Sequence, residues 1–317
     1  MDYARFVETR APEWAAMEDL TDRAAREGLG ALDYDALEGL AARHRRVVAD
    51  FARARAAFPG TEAERRLRRV AFAGHRLLAA AEPPVGDRVG RFFGRDYPRL
   101  FRAALPSLRD AIALFALGTV AGLVLATVEE GVAARFVGEE GLAGLREGHI
   151  WTDALEESTT GSLLSTQIFT NNIAVALGAW AGGLLFGAGT VGMLLYNGMM
   201  LGSVVAVCAR YGLVDRLLAF VSAHGVLELF LLTVAGAAGL ELARGTLVRR
   251  DRTRGAELAE AARRSIALVG GTLPWFVLLG LVEGFLSPLM DIGTSVKGLL
   301  GVLLLLAFLA VNLRRVP

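Results

Sequence analysis

Two kinds of hydrophobic pattern divide the chain. Up to about residue 107, single apolar residues recur at helical spacing among many charged ones, and beyond it long apolar runs follow one another. The first pattern is typical of amphipathic helices with one buried face, and the second is typical of helices surrounded by lipid. The chain is therefore predicted to be all-α, with a soluble N-terminal part and a polytopic membrane helix bundle.

The soluble part, residues 1–88, is predicted to be a helical hairpin or a three-helix domain. Gly28 and Gly30 end the first amphipathic stretch, and Pro59 with Gly60 ends the second. Thr61 begins a capping-box sequence for the third, in which Glu64 is the partner. The three predicted helices cover about residues 3–27, 33–58 and 61–81.

Aromatic residues and arginines alternate just before the first long apolar run, in the sequence FFGRDYPRLFR at 92–102. This mixture is typical of an amphipathic helix that lies at the membrane–water interface. We therefore predict an interfacial helix over residues 89–107, with Pro98 near a helix start or a kink.

The membrane bundle, residues 108–317, is predicted to have about six spanning helices, because each long apolar run approaches the twenty residues that a span needs. The second and sixth runs are short, so tilt or local thinning of the bilayer is expected there. The predicted spans lie at about 108–128, 171–186, 189–209, 217–240, 266–286 and 298–313.

Charge between the spans predicts the orientation. The loop at 129–169 carries eight acidic residues and two arginines, whereas the loop at 241–265 carries seven arginines, and the tail ends in Arg314 and Arg315. Positive charge marks the cytoplasmic side. The N-terminal domain, the 241–265 loop and both termini are therefore predicted to be cytoplasmic, with the 129–169 loop outside.

The remaining composition excludes several classes of function. Net charge is +1, and no nucleic-acid-binding motif is present, so no nucleic-acid partner is expected. Cys208 is the only cysteine, which excludes an internal disulfide and a CxxC metal site. The chain has no phosphate-binding loop, nucleophile elbow or dinucleotide fingerprint. We predict neither a catalytic residue nor a cofactor.

Polar residues inside the predicted spans are the candidate functional residues. A charged side chain at the centre of a bilayer costs about 2.5–3.5 kcal/mol on insertion scales, so it needs a partner or a function. His224 and Glu228 are four residues apart, which predicts one shared helix face, and Glu283 would approach from another helix. The candidate polar core comprises Asn171, Asn172, Asn197, His224, Glu228, Glu283 and Pro288.

Three interpretations of this polar core differ in chemistry. The residues can fasten helices together through hydrogen bonds, or they can form the path of a small-solute or ion transporter or channel. Alternatively, His224, Glu228 and Glu283 can hold a metal in an intramembrane enzyme, since catalytic zinc takes three protein ligands. One histidine and two glutamates without motif spacing form a sparse metal site, which favours the first interpretation.

Glycines recur at the four-residue spacing that lets two helices approach closely. They are Gly178 with Gly182, and Gly198 with Gly202. The two pairs pack helices within one chain or form a seam between two copies, and we expect a homodimer.

Several segments together resemble the stage II sporulation protein M family of bacterial membrane proteins, in its long branch with an N-terminal helical domain. The segments are RFVETRAPEW (5–14), LEGLAARHRRVVADFARAR (37–55), FFGRDYPRLFR (92–102), FTNNIAVALGAWAGGLLFGAGT (169–190), YNGMMLG (196–202), HGVLELFLLTVAGAAGL (224–240) and EGFLSP (283–288).

The resemblance implies a location in the bacterial cytoplasmic (inner) membrane and a non-catalytic role there. Family members in sporulation are thought to anchor cell-wall hydrolases, and the long branch is often encoded beside AAA-type ATPases and other envelope proteins. The expected function is a scaffold for a cell-envelope complex, either peptidoglycan-remodelling or stress-related. Its expected partners are the lipid bilayer and an envelope protein or ATPase at the N-terminal domain. The engulfment role is not carried over, because the N-terminal domain is additional to the short sporulation branch.

Overall fold

The computed structural model describes residues 2–27, 34–81, 84–150, 161–247, 254–285 and 293–315. Regular structure in these ranges is helical, without strands, so the all-α prediction is confirmed. The chain forms two compact units, Met1–Gly90 and Arg91–Pro317.

The N-terminal unit is built on three long helices and ends in a short one. They are α1 (Tyr3–Glu27), α2 (Tyr34–Ala57), α3 (Glu62–Ala81) and α4 (Val85–Arg91). Each of α1, α2 and α3 packs against the other two, so the unit is a three-helix domain rather than a hairpin. Its core includes Trp14 and Met17 from α1, Leu40 and Val47 from α2, and Leu67 from α3.

Local chemistry fixes the turn between α2 and α3. Gly60 has a φ of 77°, which glycine adopts readily, and the Thr61 hydroxyl accepts a hydrogen bond from the Glu64 amide at 3.4 Å. The Glu64 carboxylate reaches back to the Gly60 amide at 2.7 Å, one residue before the position of the usual capping box. The predicted helix start is therefore present in slightly altered form.

The second unit opens with the aromatic and arginine-rich segment. A π-helical turn at Phe92–Asp96 leads into α5 (Tyr97–Ala103), with Pro98 in its first turn. Tyr97 and Phe101 are each 1% exposed. These two rings therefore belong to the core of the bundle, not to its surface.

Within the described ranges, nine further helices complete the bundle. They are α6 (Leu105–Val128), α7 (Gly131–Arg146), α8 (Gly161–Ala181), α9 (Ala188–Arg210), α10 (Val214–Val221), α11 (Gly225–Leu247), α12 (Arg254–Gly270), α13 (Leu273–Phe285) and α14 (Thr294–Leu313), with a 3₁₀ turn at Gly182–Leu185 after α8. Among the residues that the structure describes, five segments are long and apolar enough to cross a membrane: α6, α9, α11, α14 and the continuous stretch Gly255–Glu283 of α12 and α13. The segment predicted at 171–186 belongs to α8 and the 3₁₀ turn and is not among these five.

Contacts at one end of the bundle bear on the number of crossings. Arg102, just before α6, donates to the carbonyl of Arg314, and Arg314 donates to the Gly94 carbonyl at 3.0 Å. The start of the first span and the end of the last therefore lie at the same end of the bundle. Such a path needs an even number of crossings, whereas five segments of the described residues are long and apolar enough to cross.

An aromatic cluster packs in the core of the bundle around the Phe308 ring of α14. The Phe308 ring on α14 is fully buried, and it lies 5.4 Å from Phe101, 5.7 Å from Phe230 and 5.2 Å from Trp275, each in a T-shaped geometry. Edge-to-face pairs of this kind add about 0.5–1.5 kcal/mol each beyond their buried area. The last helix of the chain is thereby fixed to α5, α11 and α13.

Candidate functional site: a buried polar cluster

A hydrogen bond between two helices is the centre of the candidate site. Asn172 on α8 donates from Nδ2 to Oε1 of Glu228, in the first turn of α11, at 2.6 Å. Both side chains are partly buried. The bond satisfies one oxygen of a carboxyl group that the lipid phase would otherwise leave without a partner.

A second carboxyl group approaches the first from α13. Glu283 is only 2% exposed and lies close enough to Glu228 for the two to interact electrostatically. Among the described residues, no donor reaches Oε1 of Glu283. Of these two carboxyl groups, one buried on α13 and one partly buried on α11, only Glu228 has a hydrogen-bond donor in the described part of the chain.

His224 and Lys297 form a second group of buried polar side chains near the start of α11. We use the name polar cluster for these two together with Asn172, Glu228 and Glu283. His224 is 4% exposed, and its ring meets Phe220 edge-on at 5.7 Å. Lys297 on α14 is 2% exposed, donates to the Ala219 carbonyl at 3.2 Å and acts electrostatically on His224. Lys297 is not among the residues of the predicted polar core. It is the only lysine in the sequence and lies at the edge of an apolar run, and this position could have marked it as a candidate.

His224 and Glu228 lie on either side of the start of α11. The helix begins at Gly225, so His224 lies in the turn before it, where its carbonyl accepts a hydrogen bond from the Glu228 amide at 3.0 Å. That the two side chains share one helix face stays a prediction. Their described contacts differ: the Asn172 amide donates to Glu228, and the Phe220 ring packs edge-on against His224.

Three other predicted residues are not brought to the polar cluster by any described contact. Asn197 is buried, but its amide donates to the Met193 carbonyl of its own helix at 2.8 Å. Asn171 is exposed on α8, and Pro288 lies outside the described residues.

The metal interpretation gains no support from the arrangement. The described ranges contain no group of three or more His, Cys, Asp or Glu side chains placed to hold a metal ion. His224, Glu228 and Glu283 thus do not form the three-ligand set that the sequence suggested as the alternative.

The predicted packing glycines bring two helices into direct backbone contact. A side chain at Gly198 would collide with the Phe115 carbonyl of α6, and one at Gly202 would collide with the Thr119 carbonyl. Helix α6 contributes two glycines in the same way, since Gly118 and Gly122 lie against backbone carbonyls of α9. The spacing GTVAG at 118–122 was visible in the sequence, and it supplies the partner of the Gly198–Gly202 pair within the same chain.

The other predicted pair, Gly178 and Gly182, serves the turn between α8 and α9. A Cβ at Gly182 would meet the backbone of Gly189 and Thr190, and one at Gly178 would lie 3.2 Å from the Met193 side chain. Both predicted glycine pairs therefore pack helices within the chain, and a dimer would have to use another face.

A cavity of about 660 Å³ lies at a distance from the polar cluster. It opens between α6, the start of α9 and the end of α11, and its lining includes Asp110, Phe186, Val191, Leu240 and Arg244. None of the polar-cluster residues lines it. At its polar margin Arg244 donates to Ser107 at 2.7 Å and pairs with Asp110 at 3.3 Å.

Ion pairs join the extramembrane ends of α6 and α9. Glu130 accepts from the Tyr211 hydroxyl at 2.8 Å, from Arg210 at 3.0 Å and from Arg146 at 2.7 Å. The Tyr211 hydrogen bond, with the two guanidinium groups, lowers the pKa of Glu130 below its usual value. This carboxylate therefore stays charged further into the acid range than an isolated glutamate.

Comparison with known families matches both units of the chain. The model of stage II sporulation protein M matches residues 111–288, more than half of the 317 residues. A domain of unknown function (DUF8413) matches residues 4–80, within the three-helix domain. No curated protein and no solved structure gives a significant match.

Proposed function

We propose that this chain, which belongs to the stage II sporulation protein M family, is a non-catalytic integral membrane scaffold for a cell-envelope complex. The bundle would anchor the assembly in the bacterial cytoplasmic membrane, with both termini in the cytoplasm. The three-helix domain would bind a peptidoglycan-remodelling or stress-related partner, or an AAA-type ATPase.

The main support for the proposal is that the side chains of the polar cluster are buried or partly buried inside the bundle. A transport path needs polar side chains that line a water-accessible cavity. Glu228 instead bonds to Asn172, and His224, Glu283 and Lys297 are each less than 5% exposed. The large cavity lies among other residues. This favours a cluster that fastens four helices over one that conducts a solute.

Backbone packing between α6 and α9 supports the same role. Carbonyls of each helix lie against glycines of the other, at Gly118, Gly122, Gly198 and Gly202. Such interdigitation leaves little room for the helices to slide, which suits a platform and opposes the rocking motions of transporters.

The N-terminal domain offers a direct test through two neighbouring residues of α2. Val48 is 42% exposed, whereas Val47 is 1% exposed and belongs to the domain core. A photoreactive amino acid replaces each in turn in the full chain, and cells are irradiated before the membranes are isolated. We expect position 48 to crosslink to one envelope enzyme or ATPase that leaves the membrane when the chain is deleted.

Position 47 is the matched control and should give no such adduct. A second arm reconstitutes the purified chain into liposomes and measures proton and ion flux. Absence of a protein adduct at position 48, together with a flux that Glu228→Gln abolishes, would replace the scaffold with a transporter.

A further inference from the structure

One face of α3 combines exposed arginines with an exposed aromatic ring. The spacing of these residues places them within an arc of roughly 100° on the helix surface. Phe72 is 70% exposed, and all of its companions on this face are exposed as well. We call this face the arginine stripe; it comprises Arg65, Arg68, Arg69, Phe72 and Arg76.

The stripe has little negative charge of its own. Arg65 donates to the Gly60 carbonyl at 2.9 Å, and within the described residues no ion pair reaches Arg68, Arg69 or Arg76. Two carboxylates of the domain are paired with arginines outside the stripe, Glu18 with Arg66 at 2.6 Å and Asp50 with Arg10 at 2.8 Å. Glu64, which directly precedes Arg65 in the sequence, accepts from the Gly60 amide at 2.7 Å.

Phe72 lies on the side of α3 that faces away from the domain core. Its own helix turns Leu67, Val70 and Leu77 inward on the opposite side, and these three are buried. Arginines around an outward aromatic ring form the pattern of surfaces that bind anionic headgroups, where guanidinium groups meet phosphates and the ring enters the interface.

Chain connectivity limits how far the three-helix domain can move from the first apolar span. Ten residues separate the end of α3 at Ala81 from Phe92, where the aromatic segment before the first span begins. A tether of that length gives a high effective concentration of bilayer surface. The stripe extends from residue 65 to 76, about 16 Å along the helix axis, which is long enough to meet several headgroups.

We propose that the arginine stripe is a docking surface for anionic phospholipid headgroups, into which Phe72 inserts its ring. The proposal goes beyond the scaffold function, because it concerns where the domain rests and not what it recruits. Docking would hold the three-helix domain on the bilayer, and charge screening by salt would release it.

The test uses the full chain in nanodiscs with a reporter on the same face. Cys208→Ala removes the native thiol, and Ala79→Cys, at an exposed position of α3, carries an environment-sensitive fluorophore while Phe72 stays in place. We expect a blue shift when phosphatidylglycerol is mixed with phosphatidylcholine, and its reversal by salt. Each arginine near an anionic surface raises the ratio of docked to undocked domain roughly fivefold. Arg68→Glu with Arg69→Glu should therefore lower that ratio by at least roughly 25-fold.

Arg5→Glu with Arg26→Glu makes the same charge change at exposed positions of α1 and should leave the shift intact. Phe72→Ala should reduce the shift while leaving its salt dependence. An equal signal in discs of phosphatidylcholine alone, or an equal loss with the α1 variant, would overturn the proposal. A shift that appears only on adding an acidic protein would also overturn it and identify a protein surface instead.

Discussion

Asn172 donates to Glu228 across the α8–α11 interface, while Asn171, the preceding residue in the chain, is exposed. Two adjacent asparagines therefore have opposite environments. Asn172→Ala leaves Glu228 without its donor and should lower the free energy of unfolding by about 1–3 kcal/mol. Asn171→Ala should leave it nearly unchanged. Denaturant unfolding in detergent micelles measures both, and equal losses would contradict the pairing.

Glu283 should tolerate loss of its charge. A negative charge on Glu283 would lack hydration and would be repelled by a charge on Glu228, so a neutral amide of the same shape removes an unfavourable interaction. We expect Glu283→Gln to unfold at the same or a higher denaturant concentration than the unsubstituted chain.

The matched comparison for Glu283 is Glu228→Ala, which strands the Asn172 amide and should lower the unfolding midpoint. If Glu283→Gln proved the more damaging of the two, the charge of Glu283 would be required, and a cation would have to be sought beside it.

Two glycines of α9 should differ in how their replacement by alanine changes the free energy of unfolding. A Cβ at Gly202 meets the Thr119 carbonyl of α6, whereas a Cβ at Gly192 meets no atom within 4 Å. Gly202→Ala should cost about 1–3 kcal/mol through overpacking. Gly192→Ala should be neutral or stabilise by up to about 1 kcal/mol, because alanine has the higher helix propensity. Unfolding midpoints decide the matter, and a loss at Gly192 equal to that at Gly202 would contradict the packing.

Acid should loosen the ion-pair group around Glu130. Its pKa is lower in the folded chain than in the unfolded chain, so its stabilisation is complete above the unfolded pKa and is lost as the pH falls through the folded one. Tyr211→Phe removes the hydrogen bond that contributes most to the lowered pKa of Glu130. The free energy of unfolding should then fall less steeply as the pH is lowered. Glu140→Gln, at an exposed position of α7, should leave the acid profile as it is.

The sequence predicts the spans better than the contacts between them, because a span is a local property and a contact joins residues far apart in the chain. An apolar run such as 298–313 is a local property, and the structure places it within α14. The partner of a polar residue depends on helices far apart in the chain. Asn172 and Glu228, 56 residues apart, met in the fold without any local signal for their pairing.

The start of a helix is harder to predict than a span. His224 and Glu228 have helical spacing in the sequence, but α11 starts between them, at Gly225. By contrast, the glycine prediction depended on spacing well inside one helix, and Gly198 and Gly202 do pack on a common neighbour.

The link between Arg102 and Arg314 bears on how the protein is made. Arg314 follows α14 and so leaves the ribosome after α5, α11 and α13, and Phe308 of α14 supplies the ring on which those three helices converge. Insertion into the bilayer can proceed span by span, but the centre of the bundle stays open until α14 has been made. A chain cut short before α14 would keep its earlier helices and lose the residue that closes them.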